Sequence, residues 1–250
     1  MQIKDYANAF KLPYLREHYK DLIIEANQMK TSYEEFLRNY FKLEFENRQE
    51  NSIQRKIREA KFSYKKYLEN FKRDHLPIQT KSKIEELETL SFIDKKENII
   101  LIGNPGVGKT HLAIGLGIKA CLEGKSVLFI SVPNLIIELK EAMSQNQINN
   151  YKRKFEKYDL TILDELGYIS FDKEGSEILF NLLSNRNDKG SIIITTNLVF
   201  ERWEEIFKDP ILSGAIIDRL AHKSHIIDMS GDSYRIKETI DWMKRGNKNE

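Results

Sequence analysis

Glycine is absent from the first part of this chain, up to Lys96, and only two prolines, Pro13 and Pro77, interrupt it. A stretch so poor in turn formers, with apolar residues at helical spacing, reads as helix. Cysteine is nearly absent too. The single Cys121 excludes a disulfide framework within the chain and a cysteine-rich zinc site; in its apolar helical setting it reads as a small buried hydrophobe. Long apolar runs are lacking, and Ile99 to Ile102 falls far short of the ~20 residues a membrane span needs. Met1 to Phe10 carries Lys4 and Asp5 and has no apolar core followed by small residues, so it does not read as a secretory signal. The expectation is a cytoplasmic protein. Neither sign of charge dominates: 40 Lys and Arg against 38 Asp and Glu leave a formal net charge of +2. That is too little to imply a nucleic-acid partner by itself, and any basic surface must come from local clustering.

What is present divides into two grammars. Leu15, Tyr19, Leu22, Ile23 and Ala26 form one helical stripe. Tyr33, Phe36, Leu37 and Tyr40 form a second, opened by Ser32 with Glu35 three residues on, the pattern of a capping box. A break is expected around His75 to Thr80. From Asn98 short β-rich runs alternate with helical stretches. The runs are Ile99–Ile102, Val127–Ile130, Leu160–Leu163, Ile192–Thr195 and a last one near His225–Met229. Such alternation implies an α/β fold, a mostly parallel sheet with helices on both faces. The expected division is an N-terminal helical domain over 1–75, a linker and helix over 76–96, the α/β domain over 97–240 and a polar, frayed tail over 241–250.

Gly103-Asn104-Pro105-Gly106-Val107-Gly108-Lys109-Thr110 satisfies every fixed position of G-x-x-x-x-G-K-[ST], between an apolar strand and a helix through Leu112, Ala113 and Leu116. Glycines let backbone N–H groups turn inward around phosphate oxygens, and the helix aims its positive end at the same anion. Lys109 is expected to reach the β- and γ-phosphates, and the Thr110 hydroxyl to bind Mg²⁺. Leu160-Thr161-Ile162-Leu163-Asp164-Glu165 is an apolar strand ending in two carboxylates, at the strand end where open α/β sheets bind ligands. Asp164 would hold Mg²⁺, directly or through its water. Glu165 would orient and deprotonate the attacking water. No Asn-Lys-x-Asp guanine-reading motif occurs, which favours ATP as the nucleotide.

From Ser52 to Lys83 ten basic residues face three acidic ones, with Phe62, Tyr64, Tyr67 and Phe71 interleaved. Two readings stay open there: a nucleic-acid surface, or a solvated helix face whose aromatics turn toward the α/β core. Lys152-Arg153-Lys154 with Lys157 forms a second cluster with the same alternatives. His222 and His225 read as a helix-end and a strand-edge histidine, since no third nearby ligand has metal spacing.

With one strand–helix unit between the phosphate loop and the acidic strand, the chain resembles the additional-strand division of P-loop NTPases. More closely, it resembles the IstB-type ATP-binding proteins, AAA+ transposition helpers of bacterial insertion sequences, which are similar to DnaC-type helicase loaders. The resemblance rests on Lys61-Phe62, Glu97 through His111, Asp164-Glu165-Leu166-Gly167-Tyr168, and Asp209 through Arg235. It implies a three-layer αβα sheet and places His111 among the nucleotide-binding residues. It implies Asn197, after Ile192–Thr196, as a first sensor of the γ-phosphate, where the residues alone also admit a turn-capping Asn. It implies Arg219, in Asp218-Arg219-Leu220, as the arginine given to a neighbouring subunit's site, though a surface arginine paired with an acid has the same sequence. Arg235 would be a second phosphate sensor or a structural arginine. The implied partners are duplex DNA, further copies of the chain in a higher-order oligomer, and the transposase of the same insertion sequence. The alternative is a DnaC-like replicative helicase loader.

Overall fold

The computed structural model describes residues 2–242 apart from His75, Asn187, Asp232, Arg235, Lys237, Glu238, Ile240 and Asp241. The chain divides into two compact units, Met1–Arg55 and Lys56–Glu250. The first holds α1 (Ile3–Ala9), α2 (Pro13–Met29) and most of α3 (Tyr33–Glu59). Local rules explain these helices. Pro13 opens α2, where its missing N–H is not needed. The Ser32 hydroxyl accepts from the Glu35 N–H at 3.3 Å to start α3. Glu44, 3% exposed, accepts from the Leu15 N–H in the first turn of α2 at 3.1 Å, so a carboxylate on α3 caps its neighbour.

The second unit is built on a parallel sheet. Its strands are β1 (Asn98–Ile102), β2 (Val127–Ser131), β3 (Leu160–Leu166), β4 (Ser191–Thr196) and β5 (Ser224–Asp228), in spatial order β2-β3-β4-β1-β5. The helices, in chain order, are α4 (Ile78–Leu87), α5 (Ser91–Asp94), α6 (Lys109–Leu122), α7 (Val132–Ser144), α8 (Ile148–Phe155), α9 (Lys173–Arg186), α10 (Glu204–Phe207) and α11 (Pro210–Ala221). Side chains alternate across a strand. Ile100, Ile102, Leu128, Ile130 and Ile194 face a core shared with Leu135 and Leu139 of α7, Leu179 and Leu182 of α9, and Ile216 of α11. The opposite face, which includes Ile162, receives α6. The result is three layers, helices–sheet–helices, as an alternating βα pattern dictates.

The expected boundary at 75/76 and the structural division at 55/56 differ for a packing reason. Residues 60–74 leave the helix at Lys61, whose φ is +60°, and run as a strap over α6. Leu68 and Phe71 are buried there, and a Cβ on Gly115 would lie 2.7 Å from the Leu68 Cδ2. Phe62 covers Gly117 in the same way. Glycine-poor sequence therefore becomes an irregular strap with one 3-10 turn, Leu68–Asn70, because burial of Leu68 and Phe71 and the packing of Phe62 outweigh local helix propensity. The strap and α4 also occupy the sheet edges. The Phe129 N–H on β2 donates to the Ala60 carbonyl at 2.8 Å, and the Thr80 hydroxyl donates to the Asp228 carbonyl on β5 at 3.1 Å. No helix among the described residues is long and apolar enough to cross a membrane.

Candidate active site

β1 delivers the chain to the Gly103–Thr110 turn at the C-terminal edge of the sheet, and α6 leaves from it. Gly108 is the N-cap of α6 with φ +98°, and Gly106 has φ +85°, conformations that residues with a Cβ adopt only under strain. At Gly103 a Cβ would lie 2.9 Å from the carbonyl carbon of Met229 in the backbone after β5, which cannot yield as a side chain would. Lys109 is 6% exposed, and its Nζ donates to the carbonyls of Gly103 at 2.6 Å and Asn104 at 2.9 Å. The loop thus has the narrow backbone and inward cation that a phosphate cradle needs. Asn104 and Pro105 are exposed at its tip, and Val107 is fully buried beneath it.

Under the loop, the Thr110 hydroxyl donates to Asp164 Oδ1 at 2.9 Å. Asp164 is 5% exposed. Burial raises its carboxyl above the usual range, while hydrogen bonds from Thr195 and Thr110 and the charge of Lys109 pull the other way. Its position suits a neighbouring cation, which would replace the lost hydration. Glu165 is exposed, with φ +64°, and its N–H donates to the Thr195 hydroxyl at 3.0 Å. Thr110, Asp164 and Glu165 share the wall of a cleft of about 500 Å³ with Ser131 and Asn134. Asn197 follows β4, and its Oδ1 is buried with no hydrogen-bond partner among the described residues; a Cβ on Gly167 would lie 3.3 Å from it. An unsatisfied buried amide oxygen is costly and points to a missing partner at that spot.

The strap and the segment after β5 close around the loop. The Phe71 ring lies against Gly108, and the His111 Nε2 is 3.1 Å from the Tyr67 carbonyl, with the Phe71 ring edge-on to the imidazole. Burial lowers the His111 pKa from its ordinary value. The Tyr234 N–H donates to the Gly106 carbonyl at 3.0 Å, and Lys72 lies over the Tyr234 ring, 4.9 Å from its centroid, and donates to its hydroxyl.

Of the expected site residues, Gly103 through His111, Asp164, Glu165 and Asn197 gather at this edge. Arg219 does not. It projects from α11 over the Phe180 ring at 4.6 Å and borders a small cavity with Asn98, Gly190 and Ile192, at the N-terminal edge of the sheet. A five-residue strand of roughly 16 Å separates the two edges. Arg235 lies outside the described residues, as does the tail from Lys244. Thr195 and the Phe71–Tyr234 closure were not foreseen. The signal for Thr195 was a hydroxyl near the polar end of an otherwise aliphatic strand. Of the aromatics in the basic stretch, Phe62 and Phe71 turn to the core, while Tyr64 and Tyr67 are 42% and 40% exposed. His225 Nε2 is paired with Glu97 at 2.8 Å, and among the described residues no cluster of His, Cys, Asp and Glu has metal-binding geometry.

Strand order, phosphate loop and acidic strand end together define a P-loop fold of the AAA+ class. Solved structures share it. The AMPPCP-bound DnaA of Aquifex aeolicus matches with a TM-score of 0.56 at 20% identity, over 75% of this chain and 57% of that one. The DnaC helicase loader matches with a TM-score of 0.54 at 16% identity, over 65% of this chain and 95% of that one. Closer relatives are found by sequence. The family described as IstB-like ATP binding protein matches residues 5–241. The ATP-binding protein of insertion sequence IS5376 from Geobacillus stearothermophilus is 37% identical over 237 residues, covering 95% of this chain and 94% of that protein. That of insertion sequence IS21 from Pseudomonas aeruginosa is 37% identical over 228 residues, covering 91% and 86%. The chain belongs to the IstB-like ATP-binding family.

Proposed function

We propose that this chain is a magnesium-dependent ATPase that assembles on duplex DNA and there recruits or activates a transposase. The observation that carries the ATPase reading is the contact of Thr110 Oγ1 with Asp164 Oδ1, 2.9 Å, directly beneath the phosphate loop. A hydroxyl and a carboxylate are the hard oxygen donors that magnesium takes beside phosphate oxygens. These two residues would hold magnesium, which would supply positive charge against the phosphates. Lys109 and the loop N–H groups neutralise and orient the same phosphates. Glu165 positions the attacking water and takes its proton, and the Asn197 amide holds that water toward the γ-phosphate. Arg219 serves a neighbouring copy, since in its own chain it stands at the other edge of the sheet.

The DNA and transposase reading draws on different support. The relatives at 37% identity are named for the insertion sequences that carry them. On α8, Arg153 and Lys154 are exposed, as is Lys157 beyond it, while Phe155 anchors the helix in the core. Exposed cations of this kind neutralise phosphates and release counterions. ATP turnover of the wild type and Glu165→Gln, with and without duplex DNA, tests the first half: loss of turnover with nucleotide binding kept is expected. Microscopy of the protein on duplex DNA with a non-hydrolysable ATP analogue, with transposase added, tests the second. Capture of a replicative helicase with no effect on transposase would replace the second half by the loader function.

A further inference from the structure

Consecutive residues of a strand point to opposite faces of the sheet, yet Asp164 and Glu165 line one cleft with Thr110. The register explains how. Leu163 pairs with Ile194 and Leu166 with Thr196, so two residues of β3, Asp164 and Glu165, stand against the single Thr195 of β4. This is a β-bulge, which re-aims side chains at the point where it occurs. Its cost is visible in Glu165, a non-glycine residue with φ +64°. Thr195 is 1% exposed, and its hydroxyl is used on both sides. It donates to Asp164 Oδ1 at 2.6 Å and accepts from the Glu165 N–H at 3.0 Å. One hydroxyl thus replaces the ladder bond that the bulge removes and ties down both acidic residues.

We propose that Thr195 is a positioning residue for the acidic pair: its hydroxyl pins the bulge that brings both carboxylates to the nucleotide side of the sheet. The inference rests on the ATPase reading for its kinetic consequence, but its binding and stability consequences stand apart from it. Aliphatic replacement keeps the shape of the side chain and removes the pin. Asp164 then loses one of its two threonine donors, and the Glu165 N–H loses its acceptor hydroxyl.

The test compares Thr195→Val with Thr195→Ser in the full-length protein. Three quantities are read: affinity for a fluorescent ATP analogue in EDTA, the gain in that affinity on adding magnesium, and kcat. For T195V the affinity in EDTA should stay within about twofold, because the loop and Lys109 are untouched. The magnesium gain should fall at least about fivefold and kcat at least about tenfold, as sub-ångström misplacement of reacting groups produces. T195S should restore both. T195V with an unchanged magnesium gain and kcat overturns the proposal, and so does T195S failing as far as T195V, which would assign the effect to the methyl group. If T195V does not fold, Glu165→Gly supplies a stability test. Glycine adopts the left-handed conformation without strain, so Thr195→Ala, which also lacks the hydroxyl, should destabilise the E165G protein less than the wild type; equal losses overturn the proposal. A wild type without turnover refutes the ATPase reading and leaves the magnesium gain to judge Thr195.

Discussion

Replacing Gly108 by alanine probes the closure of the phosphate loop most sharply. Two independent penalties apply. At φ +98° a Cβ meets the backbone strain of the left-handed region, roughly 1–2 kcal/mol. The same Cβ would lie 2.9 Å from Phe71 Cε2, on a ring that is 6% exposed and has little room to retreat. Overpacking of this kind costs about 1–3 kcal/mol. The sum, roughly 2–5 kcal/mol, corresponds to a melting temperature lower by at least about 4 °C for a unit of this size. Thermal melts of G108A, Phe71→Ala and the double variant separate the penalties. With the ring gone only the backbone strain should remain, so G108A should cost about 1–3 kcal/mol less in the F71A background. Equal costs in both backgrounds would refute the packing argument, and a melting point within about 1 °C of wild type would refute both.

Two further outcomes follow from the same geometry. Arg219→Ala should keep nucleotide affinity, since Arg219 stands away from its own phosphate loop, but lose turnover on DNA. Mixing it with Glu165→Gln should recover part of that turnover, because some interfaces then pair an intact Glu165 with an intact arginine. Turnover of R219A equal to wild type in the presence of DNA would remove the trans-acting role. Cys121 is fully buried, and burial pushes its thiol up to about 12, so almost no thiolate exists at pH 8–9. A thiol reagent should label it only after denaturation, and fast labelling of the native protein would contradict its place in the core.

The strands and the phosphate loop were legible in sequence because each depends on local pattern. Ile99–Ile102 and Ile192–Thr195 are aliphatic runs that no amphipathic helix requires, and the loop's glycines and Lys-Thr pair are fixed in spacing. The acidic pair was legible as residues but not as geometry. Adjacent carboxylates on a regular strand would diverge, and the bulge that unites them depends on the register with β4, a tertiary property. The strap was hidden for a related reason. Helix propensity reads Lys61 through Phe71 in isolation, whereas Phe62, Leu68 and Phe71 find their partners at Gly117, Gly115 and Gly108, far along the chain. Arg186 is the extreme case: 0% exposed, it donates to the carbonyls of Phe155, Tyr158 and Ser191, and burial depresses its pKa to about 10. No sequence pattern marks a charged residue as core when its acceptors come from two separate stretches, the end of α8 and the start of β4. The helical character of α8 was also missed, since Ile148 to Phe155 offers few apolar positions to set a period.

Calorimetric titration of ATP into the wild type and Lys109→Ala, each with and without magnesium, bears most directly on the claim that the Gly103–Thr110 turn holds the nucleotide. Removing a buried ammonium that would bond phosphate forfeits about 3 kcal/mol, or roughly a hundredfold in affinity. The expected result is one ATP per wild-type chain, bound more tightly with magnesium, and binding by K109A weaker by that factor. No heat of binding in the wild type, or equal affinities in the two proteins, would contradict it.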